Sequence, residues 1–263
     1  MISNSSLLQN EAAFDGLFCE TFSENSYSMY YNPSFRDDPI FNHVMFSSSI
    51  LDSQNYDTVE VETIFKEIIK KAKRVGVPAS LYVDRFWKNS RSLEKDAIDF
   101  GFLIIEQMHI LKKSTTSPHL GEANEIMVQV TGDVDLWNGA FVKSFAIPQN
   151  WIRELEKRLT QISKDPKTFL LVATEKGKSE ASGCSLLHID PAECMGVYSV
   201  GTIPERRGHG VARALMATAE IEARGRLCEA IVLQTIASDR VAPMYLKMGY
   251  NTAFERDVLQ FRE

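Results

Sequence analysis

Residues 206–212 read Arg206-Arg207-Gly208-His209-Gly210-Val211-Ala212, a glycine-containing stretch opened by two arginines. It lies between a strand-like run ending near Thr202 and a helix-like run beginning near Gly210. Glycines in such a place let bare backbone approach a ligand, and the N–H groups of a helix start stabilise phosphate. Pro204 cannot donate to a ladder and so ends the strand. Arg206 and Arg207 add positive charge suited to a pyrophosphate. A P-loop would need GxxxxGK followed by Ser or Thr, and both the lysine and the hydroxyl residue are missing. A dinucleotide-binding turn would need GxGxxG, but its third glycine position holds Arg213. The strand that follows also ends in Gln234-Thr235 instead of the acid that such a fold expects.

Around this loop the chain alternates regularly. Glu125 to Val130 alternates as a strand, Val134 to Phe145 has apolar residues at helical spacing, and Trp151 to Ser163 is a charged helix after Pro148. Strands are expected at 169–174, 183–189 and 195–200, with a turn at Lys176-Gly177-Lys178. The helix from Gly210 to Arg224 carries Val211, Ala214, Leu215 and Ala219 on one face. Ala230 to Leu233 is an apolar strand of the kind buried on both sides. A short helix over 241–248 and a strand over 252–261 complete the order β-α-α-β-β-β-α-β-α-β, a mixed-sheet α/β fold.

With these elements in place, residues 124–263 resemble the GCN5-related N-acetyltransferase (GNAT) superfamily. Its acetyl-CoA signature, Gln/Arg-x-x-Gly-x-Gly/Ala, is matched by Arg207-Gly208-His209-Gly210-Val211-Ala212. Val200-Gly201-Thr202 stands where the family's splayed fourth strand hydrogen-bonds pantetheine, and Ala230 to Leu233 stands for its fifth strand. Ala242-Pro243-Met244-Tyr245-Leu246-Lys247-Met248-Gly249-Tyr250 is similar to its closing Ala-x-x-Tyr-x-x-x-Gly-aromatic segment. The resemblance implies cofactor contacts from Val200, Gly201, Thr202 and residues Arg207 to Arg213, and no metal. It implies that backbone N–H groups near Val200 to Thr202 polarise the thioester carbonyl and that Tyr245 protonates the departing sulfur.

Acetyl transfer also needs a neutral amine. Some relatives place a glutamate on the fifth strand, but the matching stretch here offers Gln234, which accepts no proton at neutral pH. Glu193, Asp190, His188 and Tyr198 remain as candidate bases, alongside deprotonation through ordered water. Asp239 takes the place of an asparagine that contacts the cofactor in the family; a carboxylate lacks the N–H for that contact and repels phosphate.

The polar stretch around 112–121 reads as a linker, giving domains over 1–113 and 124–263 joined by residues 114–123. The first half echoes the second. Gly101-Phe102 and Gly249-Tyr250 are each followed by leucine at the same distance, and a helix reaches Gly76 before Ser80 to Val83 as another reaches Gly225 before Ala230 to Leu233. Both landmarks recur at an offset of about 149 residues, which suggests a duplication. At that offset the cofactor loop falls on Asp57 to Thr63, with no glycine and three acids, and Tyr245 falls near Ala97. Two tandem GNAT-like domains are therefore expected, the first degenerate and unable to bind acetyl-CoA. Tyr27, Tyr30, Tyr31, Phe35, Phe41 and Phe46 either line an acceptor site or form core.

The chain of 263 residues, 44% hydrophobic and 24% charged, is of ordinary globular composition, and its net charge of -6 disfavours broad nucleic-acid or anionic-membrane binding. Cys19, Cys184, Cys194 and Cys228 lack metal-ligand spacing and suit buried free thiols in a reducing cytoplasm. No signal peptide or membrane span is evident. The expectation is a cytoplasmic enzyme that transfers acetyl from acetyl-CoA to a primary amine on a small molecule, with a homodimer as an open assembly state. A non-catalytic acetyl-CoA sensor or scaffold is the alternative, and longer acyl or aminoacyl donors are not distinguished by the loop.

Overall fold

The computed structural model describes residues 3–121, 125–190 and 194–262. They form two compact units that are not contiguous along the chain. One, the loop-bearing unit, comprises Met1–Leu17, Lys112–Leu233 and Met244–Asn251; the other comprises Phe18–Leu111, Gln234–Pro243 and Thr252–Glu263. The chain elements run α1 (Asn4–Phe18), β1 (Glu20–Ser23), β2 (Tyr27–Tyr31), β3 (His43–Phe46), α2 (Ser48–Leu51), α3 (Thr58–Val75), β4 (Ser80–Asp84), α4 (Ser90–Phe100) and β5 (Phe102–Ser114). They continue with β6 (Ile126–Thr131), α5 (Val134–Phe145), α6 (Gln149–Ile162), β7 (Thr168–Glu175), β8 (Ala181–Ile189) and β9 (Cys194–Thr202). The last are α7 (Val211–Gly225), β10 (Ala230–Ile236), α8 (Ala242–Lys247) and β11 (Asn251–Phe261). Each element expected after residue 124 is present, shifted by only a few residues at its ends.

In the second unit the strands lie in the order β1-β2-β3-β4-β11-β5. Helix α3 shows why its sequence is helical. Asp57 caps it by accepting from the Val59 N–H at 2.9 Å, and Gly76 ends it in the left-handed region at φ 78°. Its Val61, Ile64, Phe65, Ile68 and Ala72 recur at helical spacing and are buried. They join a core with Tyr27, Tyr31, Phe46, Leu81 and Leu259. Tyr30 and Phe35 are buried as well, so the aromatic stretch is mainly packing.

Strand β11 carries two charged residues that are 0% exposed. Arg256 meets Asp84 of β4 at 2.6 Å and lies over the Tyr82 ring, while Asp257 accepts from Arg85 at 2.6 and 2.9 Å and from Gln107 at 2.7 Å. Buried charges persist only when paired in this way.

The loop-bearing unit orders its strands β10-β9-β8-β7-β6. Residues 114–121, expected to be a linker, are instead bound along α7; residues 122 and 123 of that stretch lie outside the described residues. The Thr115 hydroxyl donates to the Cys228 carbonyl at 2.7 Å, and the Arg224 guanidinium donates to the carbonyls of Thr115 and Ser117. Lys113 and Glu220, 3% and 2% exposed, pair at 2.6 Å. The same ammonium donates to the Met248 carbonyl at 3.1 Å, and Glu220 accepts the Leu120 N–H at 3.0 Å. Polar composition suggested a tether because it hides where the hydroxyls and carbonyls find partners. Among the described residues no helix is long and apolar enough to cross a membrane.

Removing one member of a buried pair leaves the other charge stranded, which costs about 3–5 kcal/mol. Lys113→Met should therefore lose about that much stability in urea titration, and Lys113→Met with Glu220→Leu should recover part of the loss. Strictly additive losses would show that the two charges do not act as a pair.

Candidate functional site

Strand β9 pairs on one side with β8, antiparallel, from Met195–Ile189 to Thr202–Gly183. The register shifts by one residue between Cys184 and Leu186, and Ser199 sits opposite that shift at φ 54°. A bulge of this kind kinks the strand and re-aims its backbone. On its other side β9 runs parallel to β10 through Cys194–Ala230, Met195–Ile231 and Gly196–Val232. Beyond these pairs β9 continues to Thr202 without further β10 pairing among the described residues, so Val200, Gly201 and Thr202 lie where the two strands have parted. Gly201 is held tightly on one face. A methyl group there would fall 2.7 Å from Ser144 Cβ and 2.8 Å from Phe145 Cε2, so α5 lies directly on the strand.

The chain then turns through Pro204–Arg206, a single 3-10 turn, into the loop. Gly208 and Gly210 stand at φ 81° and 82°, and no atom lies within 4 Å of where a Cβ would be. Glycine is needed here for backbone conformation and not for space. Gly210 opens α7, and no side chain caps the helix. The N–H groups of Val211, Ala212 and Arg213 thus begin a helix whose positive end has no acceptor of its own. Val211 anchors this start: a methyl group at Gly183 would lie 2.6 Å from its Cγ1.

Two of the loop's basic side chains, Arg206 and Arg207, are bound to neighbouring protein groups. Arg206 pairs with Glu175 at 2.6 Å, and the nearby Lys178 and Arg206 hold the Glu175 carboxyl below its usual range. Arg207 donates to the Ser144 carbonyl at 3.0 Å and to the Thr202 carbonyl at 3.4 Å. His209 Nδ1 lies 3.1 Å from the Arg207 carbonyl. Arg213 is exposed. The local sequence suggested direct charge for a pyrophosphate; the donors left for an anion are chiefly backbone N–H groups.

Tyr245 lies on α8 and is buried, its carbonyl accepting from the N–H groups of Met248 at 2.9 Å and Tyr250 at 3.2 Å. Gly249 makes this turn at φ 87°, and the Tyr245 and Tyr250 rings meet edge to face at 6.2 Å. Burial pushes the Tyr245 phenol up to about 12. Asp239 is exposed within the 3-10 turn Ala237–Asp239, and its carboxylate makes no hydrogen bond to α8 among the described residues.

The candidate bases are occupied by packing. Tyr198 donates to Asn10 Oδ1 at 2.6 Å and stacks on Phe14 at 3.5 Å. The Asn10 amide in turn donates to the carbonyls of His188 at 3.2 Å and Cys194 at 2.9 Å. His188 Nδ1 meets the Thr168 hydroxyl at 3.0 Å, and burial lowers its pKa, so the ring is neutral at pH 7. Asp190 accepts the Cys194 N–H, at the start of β9, at 2.9 Å. Glu193 lies outside the described residues. Burial raises the Tyr198 phenol well above its ordinary value, with the Glu11 and Asp15 charges adding to the effect. No group of three His, Cys, Asp or Glu side chains among the described residues converges as metal ligands would.

Helix α1 makes this packing and went unread in the sequence. Leu7, Asn10, Glu11, Phe14, Asp15 and Phe18 are all buried and follow helical spacing. Three of the six are polar, which hides the stripe from a search for apolar periodicity.

Residues 134–250 match the model of the acetyltransferase (GNAT) family. No curated protein matches the sequence. Among solved structures, a GCN5-related N-acetyltransferase from Kribbella flavida superposes with a TM-score of 0.74 at 14% identity, covering 98% of this chain and 94% of that one. A GCN5-related N-acetyltransferase from Sphaerobacter thermophilus gives 0.69 at 15% identity, with 97% and 90% covered. A functionally unknown conserved protein from Staphylococcus epidermidis gives 0.68 at 13% identity, with 93% and 94% covered. Identities this low speak to fold, and the family model speaks to sequence over the stretch it matches. Residues 134–250 are thus similar in sequence to the acetyltransferase (GNAT) family, and the chain shares the fold of solved GCN5-related N-acetyltransferases.

Proposed function

We propose that the loop-bearing unit is an acetyl-CoA-dependent N-acetyltransferase acting on a primary amine of a small molecule. One observation carries the reading. The uncapped start of α7, entered through two left-handed glycines, follows directly on a strand that has left its parallel neighbour. Backbone N–H groups of residues 208–213 suit the pyrophosphate of acetyl-CoA, and the parted stretch Val200, Gly201 and Thr202 suits its amide-bearing arm. The family typically uses acetyl-CoA as co-substrate.

In the proposed reaction the amine nitrogen forms a bond to the thioester carbonyl carbon and the carbon–sulfur bond breaks. Backbone donors near Val200 to Thr202 stabilise charge on the carbonyl oxygen. Tyr245, with a phenol raised to about 12, keeps its proton across the working range. A thiol titrates near ~8.5, so full transfer from this phenol to a thiolate is uphill, and Tyr245 serves as a hydrogen-bond donor to the departing sulfur. The amine loses its proton through ordered water, since His188, Asp190 and Tyr198 are committed to packing. A net charge of -6 favours a cationic amine in solution. The four buried cysteines agree with a cytoplasmic setting.

We read the remainder as a second, degenerate copy of the fold, with the ancestral seam at 114–123 between residues 1–113 and 124–263. The order helix, strand, helix, strand of α3, β4, α4 and β5 recurs in α7, β10, α8 and β11. Left-handed glycines, Gly101 and Gly249, precede β5 and β11 alike. At the counterpart of the phosphate loop, Asp57 spends its own carboxylate on the start of α3. A single equivalent of acetyl-CoA should bind.

Release of free thiol from acetyl-CoA across an amine panel tests the activity. Cys184 and Cys194 do not interfere, because burial raises both thiols. Acceptor-dependent release supports an enzyme; tight binding with no turnover on any amine supports a sensor or scaffold instead. Gly210→Asp, which puts a carboxylate at the helix start, should abolish acetyl-CoA binding in calorimetry, and unchanged affinity would sink the loop assignment. Tyr245→Phe should lower kcat about 10- to 100-fold with acetyl-CoA affinity nearly unchanged. Equal turnover in that variant would remove Tyr245 from the chemistry.

A further inference from the structure

Ser144 stands in the last turn of α5 and is 7% exposed, yet its hydroxyl has no hydrogen-bond partner among the described residues. A helical hydroxyl can satisfy itself by donating to the carbonyl four residues back. The exposed Thr63 does so to Val59 at 2.9 Å, and the exposed Thr160 to Glu156 at 2.8 Å. Ser144 forgoes that bond and points at strand β9, where its Oγ lies 2.9 Å from the position of a Cβ on Gly201. Glycine at 201 is what makes room for it. The backbone of the same serine is tied to the loop, its carbonyl accepting from Arg207, which also reaches the Thr202 carbonyl. Phe145 follows, 46% exposed, with its ring edge against Gly201.

An orphaned buried hydroxyl is costly to keep. This one lies beside the stretch of β9 that runs from the bulge at Ser199 to the turn at Pro204, between the places proposed for the thioester and the pyrophosphate. The segment of acetyl-CoA that spans that distance is the pantetheine arm, whose amide carbonyls accept hydrogen bonds. We propose that Ser144 Oγ is a cofactor-binding group that donates to a carbonyl oxygen of the pantetheine arm. Its partner is the ligand, which is why the protein supplies none. The inference rests on the acetyl-CoA reading of the loop and extends that site onto α5.

The test is calorimetric binding of acetyl-CoA and of adenosine 3′-phosphate 5′-diphosphate, which keeps the pyrophosphate and lacks the pantetheine arm, to the full chain and to Ser144→Ala. The variant should bind acetyl-CoA about tenfold more weakly and the nucleotide unchanged. Its thermal midpoint without ligand should be equal or higher, because an unsatisfied hydroxyl has been removed, so a folding defect cannot account for the loss. Ser144→Cys, which keeps the side chain but only a weak donor, should show the same selective loss. Unchanged acetyl-CoA affinity in both variants overturns the role of Ser144 and leaves the loop assignment standing. Equal loss for both ligands overturns it too, since the effect then passes through Arg207 and the loop. Failure of the unaltered protein to bind either ligand removes the acetyl-CoA reading, and the role of Ser144 with it.

Discussion

The start of α7 governs the loop-bearing unit. A helix that begins on glycine in place of a capping side chain gives up only roughly a few tenths of a kcal/mol and leaves its first N–H groups without an internal acceptor; here two left-handed glycines lead into it. The surroundings hold that geometry in place. Val211 packs into the space left by Gly183, Arg207 ties the loop to the end of β9 and to α5, and Glu175 fixes Arg206. The arginines are engaged in shaping the loop, so the surface it presents is mostly backbone N–H. Such donors carry no titratable proton and keep their direction without side-chain ordering, which suits a ligand recognised by shape as much as by charge.

The comparison with α3 shows how little separates a binding turn from an ordinary helix start. Asp57 hydrogen-bonds to the Val59 N–H and completes α3 from within. With the carboxylate spent on its own backbone, the helix has no need of an outside anion and would repel one. Glycine in place of a capping acid is a small change in sequence with a large change in what the backbone can accept.

Where side chains obey one period, the sequence was transparent. Strand β6 and helices α5 and α7 are readable because burial follows the regular spacing of each element. The loop was readable because left-handed turns demand glycine. Three features were not. Helix α1 buries Asn10, Glu11 and Asp15 in the stripe that should be apolar. Residues 114–121 look solvent-facing but satisfy carbonyls and a guanidinium of α7 and its neighbours. Ser144 looks like any helical serine until its missing partner is seen. Each depends on a tertiary partner far along the chain, and local pattern carries no trace of that partner.

The place of β11 has a consequence for how the chain is made. Its pairing with β4 runs from Arg256–Asp84 to Gln260–Ser80, and the charges of Arg256 and Asp257 are neutralised by Asp84 and Arg85. During synthesis β4 emerges long before β11. Until β11 arrives, the Asp84 carboxylate and one edge of β4 must stay hydrated or be shielded by other means. The unit that opens at Phe18 therefore completes its pairing only when a strand encoded after the other unit's loop and helix has been made.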